Sequence, residues 1–599
     1  MLENVLKEYK DNIEKYTEEK KRQEKLSSLF GYVKLLLVVF IVLLIVFGIV
    51  REFTLWLILS IATIFIAEVF FWAKHSYVIE QVKYFQGLID ILNMNIARIE
   101  GRWSEFPDSG EEFVDRNHNY TYDFDIFGKG SIFQFLNVSK TLFGRNEFKK
   151  DLSESKYSIV EIGNRQEAIR ELSTHSGLSN DYQYYGDKIE NKDDISEFIS
   201  KELSGIGSFI TNKMLNFIVR FLPLVTVLFV CMSIGFKLKW MYVSMFSLIA
   251  FQTILWVVCF IRTNGYLSIV DNVKNGFKNF AKLFELIERD SFESELLKRI
   301  HSNISSSDIS ASKGIYELDK ILQRISVKAN PVIYFLANAI LLWDINSAVK
   351  FNNWKDKYEQ HIVDWFESLA VFESLLSFAN IYNCVENLCI PKFVEEKGII
   401  QTQSVGHPLI LNDKRVYNSF EMRNDIIIVS GSNMSGKTTF LRTIGVNIIL
   451  AKCGCAVCAE NFNVSDMQII SSMRISDNLN DGISTFYAEL KKIRAIIDFA
   501  ENNSNVVFFI DEIFKGTNSV DRINGARKVI EKLYNLKASG FLTTHDLSLC
   551  EAEKENQIKN WHFSEQYIND ELKFDYKIKP GIAETTNGEY LMRMLGILD

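Results

Sequence analysis

A chain of 599 residues exceeds what one hydrophobic core supports, so two to four domains are expected. Hydrophobic residues reach 47% and mean hydropathy is +0.02 beside an ordinary 24% of charged residues, so the apolar excess must be concentrated in particular stretches. The net charge of -8 excludes a wholly basic surface but not a local basic groove, and eight cysteines without a closely spaced even framework exclude a disulfide-stapled secreted scaffold.

Residues 1–34 alternate Lys and Glu densely, as in Glu18-Glu19-Lys20-Lys21-Arg22, and predict a charged, solvated N-terminal helix. Residues 35–73 follow as two apolar runs broken by Arg51-Glu52, the second with Glu68 as its one charge. A spanning helix needs roughly 20 apolar residues, a length the first run reaches only if 31–33 join it and Lys34 snorkels. Residues 74–213 read as a helical linker, and 214–262 carry a second apolar pair split at Lys237-Leu238-Lys239. A buried hairpin in a soluble core is the plain alternative; two such pairs with tryptophans near their ends favour a membrane. Arg220 then reads as an interfacial anchor. Four spans, with the basic N-terminal arm and Lys74 on the inner side, leave both termini cytoplasmic. Residues 263–390 keep helical spacing, and 391–599 change to alternating strands and helices.

The chemistry sits in that last part. A buried strand, Asp425-Ile426-Ile427-Ile428-Val429-Ser430, leads into Gly431-Ser432-Asn433-Met434-Ser435-Gly436-Lys437-Thr438, and a helix continues from Thr439. This is the G-x-x-x-x-G-K-T loop in its required setting, whose backbone N–H groups and helix N-terminus suit phosphate. Lys437 is expected on the β/γ-phosphates of ATP and Thr438 on Mg²⁺. A second apolar strand ends in Asp511-Glu512: Asp511 for the Mg²⁺ water shell, Glu512 as the base polarising the attacking water. Phe541-Leu542-Thr543-Thr544-His545 places His545 at a third strand end, as a γ-phosphate sensor.

Together these stretches resemble the ATPase of the MutS family of DNA mismatch-repair proteins. The likeness is carried by residues 431–439, Ser484-Thr485-Phe486-Tyr487-Ala488-Glu489-Leu490, Asp511-Glu512-Ile513-Phe514-Lys515-Gly516-Thr517 and Thr544-His545. It implies a homodimer joined through the ATPase, with Ser484 reaching the partner's nucleotide and Gly516-Thr517-Asn518-Ser519 lying between the two sites. It places His407-Pro408-Leu409 and Val416-Tyr417-Asn418 beside adenine, with Tyr417 as the stacking ring. It extends weakly to residues 122–212, and implies a lever for 313–385. Before residue 120 nothing resembles the family's mismatch-reading domain, and 595–599 stop short of its terminal helix-turn-helix unit.

The expected fold is therefore multidomain: a mainly α-helical core and lever with two transmembrane hairpins, then a C-terminal α/β P-loop ATPase of the ABC/MutS type. Cys453-Gly454-Cys455-Ala456-Val457-Cys458 lacks a second ligand pair and reads as small buried residues rather than a metal site. Two functions stand. One is a membrane-tethered MutS-like ATPase moving its levers, with DNA an open partner. The other is an ABC-type ATPase powering transport or a non-DNA membrane mechanoenzyme. No Leu-Ser-Gly-Gly-Gln signature precedes Asp511, which counts against the transporter.

Overall fold

The computed structural model describes residues 2–154, 156–189, 213–236, 238–268, 276–325, 328, 330–432, 434–474, 485–514, 519–554, 558–568 and 571–583. They form two units, residues 1–106 with 383–386, and residues 107–382 with 387–599.

The first unit is an antiparallel pair of helices, Leu2–Arg51 and Leu55–Ile99. The charged arm and the first apolar run are one continuous 50-residue helix. The break falls at Glu52, whose φ of 72° ends the first helix, and Thr54 caps the second by accepting from Leu57 N at 3.4 Å. At the polar end the helices are tied by Lys20 Nζ to Gln86 Oε1 at 2.7 Å and Ser27 Oγ to His75 Nε2 at 3.0 Å. At the other end Leu36, Phe47, Trp56 and Ile66 point outward.

The second unit opens with short helices, Ile132–Leu136, Leu142–Glu154, Ile159–Thr174 and Ser176–Asp187. The apolar helices Lys213–Phe236 and Lys239–Ser268 follow, joined across their faces by Gln252 Nε2 donating to Thr226 Oγ1 at 2.7 Å. Among the described residues, four helices are long and apolar enough to cross a membrane by length and composition. Helices Glu295–Ile304 and Ala311–Ile325 pack their apolar stripes on Trp343–Ala379, and Phe277–Arg289 packs on Ala311–Ile325 while its Phe280 and Phe284 meet Phe366 of the long helix. That last helix has 37 residues, roughly 55 Å at 1.5 Å per residue. Its far end is anchored by Glu373, a buried carboxylate accepting from the backbone N–H groups of Lys140 at 3.0 Å and Thr141 at 3.2 Å. Ser374 Oγ donates to Asp151 Oδ2 at 2.5 Å, and Asp151 in turn holds Arg165.

The C-terminal region is α/β. Its main sheet has six strands in the order Glu571–Pro580, Ile558–Ile568, Ile426–Ser430, Ser539–Thr544, Val506–Ile510 and Gln468–Ser472. All neighbours are parallel except the Glu571–Pro580 edge strand, so the middle strands are buried on both faces and read as continuous Val/Ile/Phe runs. A four-stranded sheet, Lys392–Val394, Asn461–Ser465, Ile399–Val405 and Asn418–Arg423, stands beside it. Parallel alignment brings the carboxyl ends of Ile426–Ser430, Val506–Ile510 and Ser539–Thr544 to one edge, where α/β ligand sites form.

Candidate nucleotide site

Ile426–Ser430 is wholly buried and delivers the chain at that edge into the glycine loop. Gly431 has φ 147° and Gly436 φ 106°, which favour glycine. Space demands it as well: a Cβ on Gly431 would stand 2.9 Å from Ser435 Oγ and 3.1 Å from the Phe563 carbonyl. The Lys437–Lys452 helix begins directly after Gly436, aiming its N-terminus at the loop. Lys437 Nζ donates to the loop's own carbonyls, Gly431 O at 2.8 Å and Ser432 O at 2.7 Å. Buried as it is, this ammonium is held where phosphate oxygens can replace those carbonyls.

Thr438 Oγ1 donates to Asp511 Oδ2 at 2.8 Å, and Thr543 Oγ1 donates to Asp511 Oδ1 at 2.5 Å. The same Thr543 oxygen accepts from Glu512 N at 2.9 Å, so one hydroxyl from the neighbouring strand orients both acids. Glu512 sits at φ 50° and Phe514 at φ 60°, left-handed positions that turn the chain sharply off the strand. His545 Nδ1 stands 3.7 Å from Glu512 Oε2. Among the described residues no cluster of three His, Cys, Asp or Glu is set for a metal ion. One hydroxyl and one carboxylate nonetheless suit Mg²⁺, which keeps much of its water and takes phosphate oxygens.

A cavity of about 440 Å³ covers the loop, and Ser432, Met434, Gly436, Lys437, Thr438, Thr439 and Glu512 line it. Val416 also lines it. Tyr417 does not: its carbonyl accepts from Lys577 Nζ and its ring lies toward Gly406. Tyr576, from the edge hairpin, lines the cavity together with the buried rings of Phe440 and Phe563, and stands close enough to Gly436 that a Cβ there would meet its Cδ1 at 3.2 Å. Asn418 locks it in place, Nδ2 donating to Tyr576 O at 3.0 Å and Oδ1 accepting from Ile578 N at 2.9 Å. His407 closes the far wall. Burial, then the charges of Arg442 and Arg415, push its imidazole down to about 3, so the ring is neutral and Nδ1 accepts from Leu409 N at 3.2 Å.

Sequence reasoning passed over the acidic pair of Asp123-Phe124-Asp125. Asp125 takes Arg442 of the loop helix at 2.8 Å and Arg474 at 2.6 Å. Asp123 accepts from Ser471 Oγ at 2.8 Å and from the N–H groups of Met473 and Arg474 at 3.0 Å. Between them Phe124 meets Phe509 edge-on at 5.2 Å and rests on Gly445. Alternating acids around a buried ring were the available signal. Cys453, Cys455 and Cys458 are buried, with Cys453 Sγ donating to Asp151 O at 3.2 Å. Asn433, Ser484 and residues 515–518 lie outside the described residues, as do 595–599.

Residues 427–598 match the family described as MutS domain V. The chain is 25% identical over 514 residues to a DNA mismatch repair protein MutS of Caldicellulosiruptor saccharolyticus, covering 78% of this chain and 58% of that protein. It is 28% identical over 258 residues to the protein of that name from Caldanaerobacter subterraneus, covering 41% of this chain and 29% of that one. MutS protein homolog 4 of Mus musculus is 31% identical over 235 residues, 37% of this chain and 24% of its own length. The chain thus spans less than two thirds of the length of these relatives.

Proposed function

Since the chain is a MutS-family protein, we propose that it is a membrane-tethered ATPase that hydrolyses ATP in a composite site of a homodimer and moves its helical levers in doing so. The observation that carries this reading is the convergence of Lys437, Thr438, Asp511 and Glu512 at one sheet edge beside one cavity. In it, Lys437 leaves the Gly431 and Ser432 carbonyls for the β/γ-phosphates. Mg²⁺, when bound, draws charge from those phosphates. Thr438 and Asp511 are the residues that would hold it. Glu512 takes a proton from the attacking water, and His545, 3.7 Å away, bears on the same carboxylate. Tyr576 and Val416 flank the base. The family resemblance assigns Ser484 to the partner's nucleotide.

Tethering rests on the four apolar helices, whose outward faces carry Leu36, Phe47, Trp56, Ile66, Leu228, Val243 and Ile254. Both termini and the nucleotide site then lie on the cytoplasmic side. The relatives' names bring DNA forward as the gripped partner, although the net charge is -8. The test is the full chain reconstituted in vesicles. Turnover of ATP that requires Mg²⁺ and vanishes in Lys437→Ala is expected. A chain released from membranes by carbonate without detergent would remove the tether, and absence of salt-sensitive DNA binding in every nucleotide state would remove DNA.

A further inference from the structure

Helix Pro331–Leu341, Pro-Val-Ile-Tyr-Phe-Leu-Ala-Asn-Ala-Ile-Leu, carries no charge. Its 11 residues extend roughly 16 Å, about half of a ~30 Å hydrocarbon core, so it does not cross a bilayer alone. Nor is it a core helix, because Val332, Ile333, Phe335 and Leu336 are 69%, 54%, 50% and 50% exposed. Leu342, at φ 48°, ends it and turns the chain by 75° into Trp343–Ala379. Its inner face is fastened to the second apolar hairpin. Trp256 meets Tyr334 at 5.7 Å and Phe335 at 6.2 Å, and its Nε1 donates to Asp344 Oδ2 at 3.4 Å. The Tyr334 hydroxyl donates to the same oxygen. Trp256 lies six residues, roughly 9 Å, inside Arg262 on its helix, and that helix presents Ile254, Val257 and Ile261 outward. The exposed apolar surface of Pro331–Leu341 therefore continues that of the hairpin.

Cations gather where the bend meets the hairpin's base. The Arg324 guanidinium lies over the Trp343 ring at 4.0 Å, with its Nε buried and without a hydrogen-bond partner among the described residues. Asn346 Nδ2 donates to Val219 O at 3.3 Å, which brings the neighbouring Arg220 beside the first turn of the long helix. Lys350 follows one turn on, and burial together with the like charges of Arg324 and Arg220 holds its ammonium below its ordinary value. Like charges kept this close are unfavourable until an anion joins them.

We propose that Pro331–Leu341 lies in the lipid leaflet facing the ATPase, and that Arg220, Arg324 and Lys350 at its foot bind the phosphate of an acidic phospholipid. The proposal rests on the reading of the second hairpin as membrane-spanning. A bilayer answers both halves of the surface, since only it offers acyl chains to Val332, Ile333, Phe335 and Leu336 and phosphate to the cations beyond the bend.

The test uses the full chain in vesicles of phosphatidylcholine and phosphatidylglycerol carrying a diazirine phospholipid, with labelled peptides mapped after irradiation. Labels on residues 332–336 and on the second hairpin are expected. A labelled hairpin with an unlabelled 332–336 overturns the inserted helix and leaves the membrane reading standing; an unlabelled hairpin removes that reading. The second arm counts phosphatidylglycerol retained on the detergent-solubilised protein by native mass spectrometry. Arg220→Gln and Lys350→Gln should each lower retention about fivefold, with phosphatidylcholine unaffected. Wild-type retention in the double variant overturns the headgroup site. Displacement of the lipid by inorganic phosphate or by a short DNA duplex does so too, assigning the cations to a soluble anion or to nucleic acid.

Discussion

Thr438 and Asp511 meet directly, the Thr438 hydroxyl in the first turn of the loop helix donating to Asp511 Oδ2 at 2.8 Å at the end of strand Val506–Ile510. Both oxygens thus stand where one Mg²⁺ could take them, and Asp511→Asn removes the charged member without changing shape. Its expected effect is a rise of about tenfold to a hundredfold in the Mg²⁺ needed for half-maximal turnover. Binding of a fluorescent nucleotide in the absence of Mg²⁺ should stay near wild type. An unchanged Mg²⁺ titration would remove Asp511 from the metal's surroundings.

Glu512 is aimed by its left-handed backbone and by the Thr543 hydroxyl. Glu512→Gln keeps the shape and loses the base, so turnover should fall by about a hundredfold to ten-thousandfold while ATP remains bound. Quenched-flow and filter binding on the same sample separate the two. Turnover at the wild-type rate would show that another group activates water.

Tyr576 rather than Tyr417 stands on the cavity wall. Tyr576→Ala should weaken nucleotide binding about tenfold, the usual worth of one base stacked on a ring, and Tyr576→Phe should restore it. Tyr417→Ala should leave affinity within about twofold. The reverse order in a titration would return the stacking role to Tyr417.

His407 links stability to pH. Its folded pKa of about 3 lies below the unfolded value of about 6.5, so the unfolded chain takes up the proton first as pH falls. The His407 contribution is intact above about 6.5 and is lost toward acid, by about 2 kcal/mol between pH 7 and 5. His407→Gln should flatten that part of the urea-midpoint profile. Parallel profiles for the two proteins would mean that His407 is not the group responsible.

Gly445 lets the loop helix rest on Phe124, since a Cβ there would come within 2.3 Å of the ring's Cζ. Gly445→Ala should destabilise the protein by about 1–3 kcal/mol, the cost of overpacking a fully buried ring, and Phe124→Leu in the same chain should recover part of it. A Tm unchanged by Gly445→Ala would show that the ring yields freely.

Much of the candidate site was legible because its parts are local. The 431–438 loop, the Asp511-Glu512 strand end and His545 each declare themselves within a few residues, by glycine spacing and by an apolar strand stopping at a charge. Tyr576 was not legible. It lies in an edge hairpin with no motif of its own and reaches the loop only because strand Ile558–Ile568 pairs with Ile426–Ser430. The same holds for Asp123 and Asp125, which need a chain segment some 300 residues away to be folded against Arg442 and Arg474 before their charges have partners.

The sequence by itself determined the long apolar helices, the α/β character of the C-terminal region and its likeness to the MutS family, because hydropathy, period and glycine placement are properties of short stretches. Tertiary structure alone decided which side chains share a cavity, that Tyr576 rather than Tyr417 lines it, and that a short uncharged helix stays exposed beside the second hairpin. Those facts depend on pairing and packing between segments far apart in the chain, and no local pattern encodes which distant partner a residue meets.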